Sequence, residues 1–150
     1  METTTQNPDE FLATLPEEYR TDLIELDRII VSIFGQNDRV LWQGKFWGGT
    51  NQNIIGYGAL TYVGSNKKPV DWFMVGLALQ KNYISLYISA TDEGQYLVKK
   101  VGKDFGKVKI GSSSVSFAQL ADLDLPVLKE ALQKAKAQLD SGWNQAQQKR

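Results

Sequence analysis

The chain has 150 residues, 42% of them hydrophobic and 23% charged, which is the size and composition of one globular domain and not of a disordered chain. It contains no cysteine and no histidine, which excludes disulfides, thiolate nucleophiles, Ser-His-Asp chemistry and the usual zinc and copper ligands, so that any metal would be a hard cation held by carboxylates, carbonyls and water. Net charge is zero, but residues 1–38 carry nine acids and two bases and the rest of the chain eight acids and 15 bases, a polarity that packing the two parts together would neutralise.

The N-terminal stretch METTTQNPDE has neither a basic n-region nor an apolar h-region, and no apolar run approaches the roughly 18 to 20 residues that span a bilayer. A cytoplasmic protein with no membrane association is expected. Residues 1–8 read as a flexible N-terminus that ends in a helix start, with Asn7 as N-cap, Pro8 at the first helical position and Glu10 completing a capping box. Pro16 opens a longer helix in which Tyr19, Leu23, Leu26, Ile30 and Ile33 recur at spacings of four and three, and Gly35 offers its stop. Its acids Glu17, Glu18, Asp22 and Glu25 mostly occupy the N-terminal turns, where the helix dipole favours them.

The middle of the chain is β. Residues 39–47, RVLWQGKFW, and 53–63 read as strands on either side of a Gly48-Gly49 break. A turn-rich segment, 64–69, leads to a strand over 70–80, which Lys81-Asn82 joins to another over 83–90. Pairing Gln80 with Tyr83 sets Leu79 against Ile84, Leu77 against Leu86 and Val75 against Ile88, all aliphatic and all on one side. The other side then carries Ala78 with Ser85, Gly76 with Tyr87 and Met74 with Ser89. Carrying this logic back, a pairing of Val63 with Val70 places Leu60 near Phe73 in the core and Tyr57 beside Gly76 outside it.

Beyond the sheet, residues 92–101 suggest a short helix and residues 107–110 and 115–117 a small strand pair around the Gly-Ser-Ser-Ser turn. Pro126 begins a final helix with Leu128, Leu132, Ala135 and Leu139 on one face.

The landmarks FLATLPEEYRTDLIELDRII, VLWQGKFWG, GKVKIGSSSVSF and LADLDLPVLKEAL, in this order, resemble the YdhG-like family of small bacterial proteins over roughly residues 9–139. The resemblance implies an α+β fold, a two-layer arrangement of a twisted antiparallel sheet with helices packed on one face, similar to frataxin. A YdhG-like domain over 9–140 is then flanked by the N-terminus, 1–8, and a flexible C-terminal tail, 141–150. Some members carry an iron-chaperone label through the likeness to frataxin. The positions here that correspond to acids along frataxin's first helix and neighbouring strand are Asp9, Glu10, Glu17, Glu18, Asp22 and Glu25.

The residues themselves offer two further candidate sites. Trp42, Phe46 and Trp47 end the first strand, and Tyr57, Trp72, Tyr83 and Tyr87 are expected on the non-core face, where Gly56, Gly58, Gly76 and Ala78 would let a ligand approach the backbone. The same rings serve equally to shield that backbone. Lys99, Lys100, Lys103, Lys107 and Lys109, interleaved with glycines and followed by serines, invite a phosphate reading but lack the Gly-x-x-x-x-Gly-Lys spacing that cradles phosphate. No cofactor motif and no nucleic-acid recognition motif is present. The expectation is therefore a non-catalytic binding or interaction module, monomeric or weakly dimeric, taking an unknown protein or small molecule through the aromatic residues Trp42, Trp47, Tyr57, Trp72, Tyr83 and Tyr87. The alternative is an iron-handling protein using Glu17, Glu18, Asp22 and Glu25.

Overall fold

The computed structural model describes residues 2–36, 39–45, 51–63 and 66–142. In chain order they form β1 (Glu2–Thr3), α1 (Pro8–Ala13), α2 (Glu17–Phe34), β2 (Val40–Lys45), β3 (Asn51–Val63), β4 (Pro69–Leu79), β5 (Ile84–Ile88), β6 (Thr91–Asp92), β7 (Gln95–Tyr96), α3 (Leu97–Val101), β8 (Lys109–Ile110), β9 (Ser114–Phe117) and α4 (Leu125–Asp140). The fold is α+β. Seven strands make one antiparallel sheet in the order β1-β2-β3-β4-β5-β9-β8, and β6 and β7 form a separate hairpin. Among the described residues no helix is long and apolar enough to cross a membrane.

Two of the three expected features of the α1 start are present, with Pro8 at the start of the helix and the Asn7 side chain as N-cap, but Asn7 accepts from the Asp9 amide at 2.8 Å and not from that of Glu10, as the expected capping box requires. Helix α2 buries Leu23, Leu26, Asp27, Ile30 and Phe34 and stops at Gly35, whose φ is 96°. Helix α4 starts one residue before Pro126, with Asp124 as its N-cap, and buries Leu128, Ala131, Leu132 and Ala135. Residues 92–101 divide between the β6–β7 hairpin and α3. Glu93 and Gly94 have φ values of 53° and 82°, the left-handed pair of a two-residue hairpin turn, and this delays the helix to Leu97. The polar N-terminus, expected to be flexible, contributes β1: Glu2 and Thr3 pair with Gln43 and Trp42, and the Thr4 amide donates to the Leu41 carbonyl at 2.9 Å. Backbone pairing needs no apolar side chain, so hydrophobic periodicity gives no sign of it.

The β4–β5 hairpin has the register read from the sequence, with Val75 opposite Ile88, Gly76 opposite Tyr87, Leu77 opposite Leu86, Ala78 opposite Ser85 and Leu79 opposite Ile84. The β3–β4 pair does not. Val63 stands opposite Pro69, Leu60 opposite Trp72, Ala59 opposite Phe73 and Tyr57 opposite Val75, one residue off the expected pairing of Val63 with Val70. A slip of one exchanges the faces, and Tyr57 accordingly lies fully buried on the core face instead of outside it.

A second cause acts at Gly58. Its φ is 72°, and the side chains change phase there: Ile55 and Tyr57 before it and Leu60 after it all enter the main core, while Ala59 is exposed. Opposite, Phe73 points away while the neighbours Met74 and Val75 both enter the core. A Cβ at Gly58 would lie 2.8 Å from a Leu139 methyl and 2.9 Å from the Phe34 ring, so side chains of α4 and α2 fill the space that the glycine leaves. The main core joins α2 and α4 to β3, β4, β5 and β9 through Leu23, Leu26, Ile30, Leu77, Leu86, Val115, Leu128 and Leu132, each almost completely buried. A second apolar cluster of Trp42, Ile54, Phe73 and Ala78 lies on the opposite face of the sheet.

Candidate functional site

The second cluster rests on glycine. A Cβ at Gly56 would fall 2.7 Å from Trp42 Nε1, and one at Gly76 would fall 2.6 Å from Phe73 Cε1 and 2.9 Å from Ile54 Cγ2. The Trp42 and Phe73 rings thus lie against bare backbone, a contact that any side chain at these two positions would prevent. Trp42 meets Phe73 and Trp72 edge to face, with centroids 5.8 Å and 5.4 Å apart, and Trp72 stacks on Phe73 at 4.5 Å, arrangements that aromatic quadrupoles favour. Trp42 is 7% exposed and Phe73 1%, whereas Trp72 is half-buried and also adjoins the main core. The three rings line a groove of about 450 Å³ whose rim includes Thr3, Val40, Ala59, Thr61 and Asp71. Across the strands, Thr61 Oγ1 donates to the Asp71 carboxylate at 3.0 Å.

Of the aromatic residues singled out from the sequence, Trp42 and Trp72 are therefore brought together. Tyr87 adjoins them: it is half-buried beside the outer cluster, its hydroxyl accepts from Gln80 Nε2 at 3.1 Å, and the same amide donates to Gln52 Oε1 at 3.1 Å. Burial raises the pKa of its hydroxyl. Tyr83, 44% exposed, stands apart beside a separate hollow with Lys109, Ser114 and Ser116. Trp47, like Phe46, lies outside the described residues. Tyr57 belongs to the other side of the sheet.

There it enters a buried ionic network with no counterpart in the sequence reading. The Tyr57 hydroxyl donates to Asp27 Oδ1 at 2.7 Å, and Arg39 donates to Asp27 Oδ2 at 3.0 Å and to Asp9 Oδ1 at 2.8 Å. The Arg39 and Asp27 side chains are only 5% and 10% exposed, a depth at which a carboxylate needs a partner for each oxygen. Burial, and then the Asp27 charge, raise the Tyr57 pKa well above its ordinary value. The hydrogen bond from Arg39 holds Asp9 below the usual carboxylate range. These groups occupy one another, and their combined effect is to tie α1, α2 and β3 together around the residue that leads into β2. One sign of Asp27's role was legible: it stands four residues after Leu23 and three before Ile30, on the apolar stripe of α2.

The acids of the alternative metal reading do not converge. Glu17 and Glu18 sit exposed in the first turn of α2, Asp22 accepts from the Leu120 amide at 3.0 Å, and Glu25 is held by Arg28. Among the described residues no three carboxylates are placed to hold a metal ion together. The lysines also diverge, Lys100 pairing with Asp92 and Glu93 at 2.9 Å and 3.0 Å and Lys103 donating to the Val108 carbonyl at 2.9 Å. No family model matches this chain, and no curated protein or solved structure does so either.

Proposed function

We propose that the protein is a non-catalytic binding module whose ligand enters the groove lined by Trp42, Trp72 and Phe73. The observation that carries this reading is the second apolar cluster itself. The core of the domain is already supplied by the helices and the opposite face of the sheet, yet three rings and two bare glycines are set into this face, with the half-buried Trp72 at the groove. Aromatic walls with a few polar groups at the rim are the usual make-up of a small-molecule site, and the groove's volume lies in the usual range. For the architecture we infer the two-layer, frataxin-like arrangement that the YdhG-like resemblance implies, with α2 and α4 over one face of the sheet and the binding face opposite. The contacts of both helices with β3 and β4 support it.

Titration with indole, a neutral aromatic probe, followed by heteronuclear NMR, tests the groove. Shifts confined to the Trp42 and Trp72 indoles and the amides of Ala59, Thr61 and Asp71 are expected. Shifts scattered over the surface, or none at millimolar probe, would refute the assignment.

A further inference from the structure

Among the described residues, Asp71 is the one ionisable side chain lining the groove, and no basic group lies within ion-pair distance of it. Its hydrogen-bond partner across the strands is a neutral hydroxyl, that of Thr61. We propose that the groove selects an organic cation, an alkylammonium carrying a short apolar substituent. The proposal rests on the groove being the binding site, and it follows from charge complementarity.

Three kinds of occupant compete for such a site. An anion meets the Asp71 carboxylate and the electron-rich faces of the indoles, both of which repel it. A neutral apolar molecule fills the groove but desolvates Asp71 without offering it a partner, which costs binding free energy. A cation satisfies both features, because its charge pairs with the carboxylate while its alkyl groups lie against the Trp42 and Trp72 rings, whose quadrupoles attract positive charge. Tryptophan is the strongest of the aromatic residues in this respect. Asp71 is exposed at the rim, so its share of the attraction is screened, and the rings carry the remainder.

The test compares choline with 3,3-dimethylbutan-1-ol, which has the same shape but no charge, each titrated by NMR into the full chain and into its Asp71→Asn variant. Choline is expected to bind the parent about fivefold or more tightly than the alcohol, with shifts at Trp42, Trp72 and Thr61, and to lose part of that advantage in D71N. The spectrum of D71N, outside the groove, reports whether the variant is folded. Equal affinity for the two probes overturns the cation assignment while leaving the groove in place, and an advantage for choline that D71N leaves intact overturns the role given to Asp71. If choline shifts nothing but indole still marks the groove, the cation assignment alone falls. If neither choline, the alcohol nor indole perturbs these residues, the groove falls with it.

Discussion

Replacing Tyr57 by Phe removes one oxygen and little else, and its effect separates the two faces on which that residue can be placed. On the core face the hydroxyl donates at 2.7 Å to a carboxylate that is itself nearly buried. A hydrogen bond to a charged acceptor is worth about 1.5 to 3 kcal/mol, and its loss leaves one Asp27 oxygen short of a donor. Tyr57→Phe should therefore destabilise the fold by about 2 kcal/mol, which in urea, with a slope of about 2 kcal/mol per molar, lowers the midpoint by roughly 1 M. A double-mutant cycle with Asp27→Asn should recover much of this loss as coupling, since the two groups are in direct contact. Arg39→Ala should cost more, about 3 to 5 kcal/mol, because it leaves the carboxylate without its cation. A Tyr57→Phe variant within about 0.5 kcal/mol of the parent would mean that the hydroxyl reaches water, and the β3–β4 register described above would be wrong.

Leu86→Ala should cost about 2 to 5 kcal/mol as a core truncation, and Ser85→Ala, whose hydroxyl shares a 3.0 Å bond with Ser116, about 1 kcal/mol; equal losses in denaturant melts would contradict the hairpin alternation. Gly76→Ala should destabilise by about 1 to 3 kcal/mol through displacement of the Phe73 ring, and should change the tryptophan fluorescence, so a neutral variant with an unchanged spectrum would refute the ring-on-backbone contact. Because the folded-state pKa of Tyr57 is raised, the stability linked to it is complete below the unfolded value of about 10 and is lost as pH climbs from there towards the folded value. Ultraviolet titration should show one tyrosine that ionises only as the chain unfolds at high pH, and Tyr57→Phe should remove that component; tyrosines that all ionise together before unfolding would count against it.

The parts of the fold legible in the sequence are those in which one rule governs a whole element. The β4–β5 register follows from a two-residue loop and an unbroken alternation, and both long helices follow from apolar spacing and their caps. The β3–β4 register was not legible because the rule changes inside the element. Gly58 resets the phase of β3, and Met74 beside Val75 does the same in β4, so counting in twos across these breaks, back from Leu60 and from Val75, assigns Tyr57 and Phe73 to the wrong faces. The outer cluster was legible by residue type, since surplus aromatic residues beside glycines pointed to a second face, but not by membership. Phe73, expected in the core, is central to the outer cluster, and Tyr83 is remote from it. The ionic network was hidden because the place of Asp27 on the apolar stripe marks it as buried without naming its partners, and Arg39 looks like an ordinary surface base until folding places the two 3.0 Å apart.

The sheet ends on both sides in strands of two residues, β1 and β8. A strand arriving from another chain would find a template too short to hold it, which guards a sheet of this width against templated fibril growth. The guard is unequal. On one side it consists of the first residues of the chain, held mainly by backbone bonds to β2, and peeling them away would uncover the six-residue Val40–Lys45 strand with Leu41 and Trp42 at its centre. Removing residues 1–6 should therefore leave the fold standing but give a chain that accumulates thioflavin-positive aggregates faster than the intact protein.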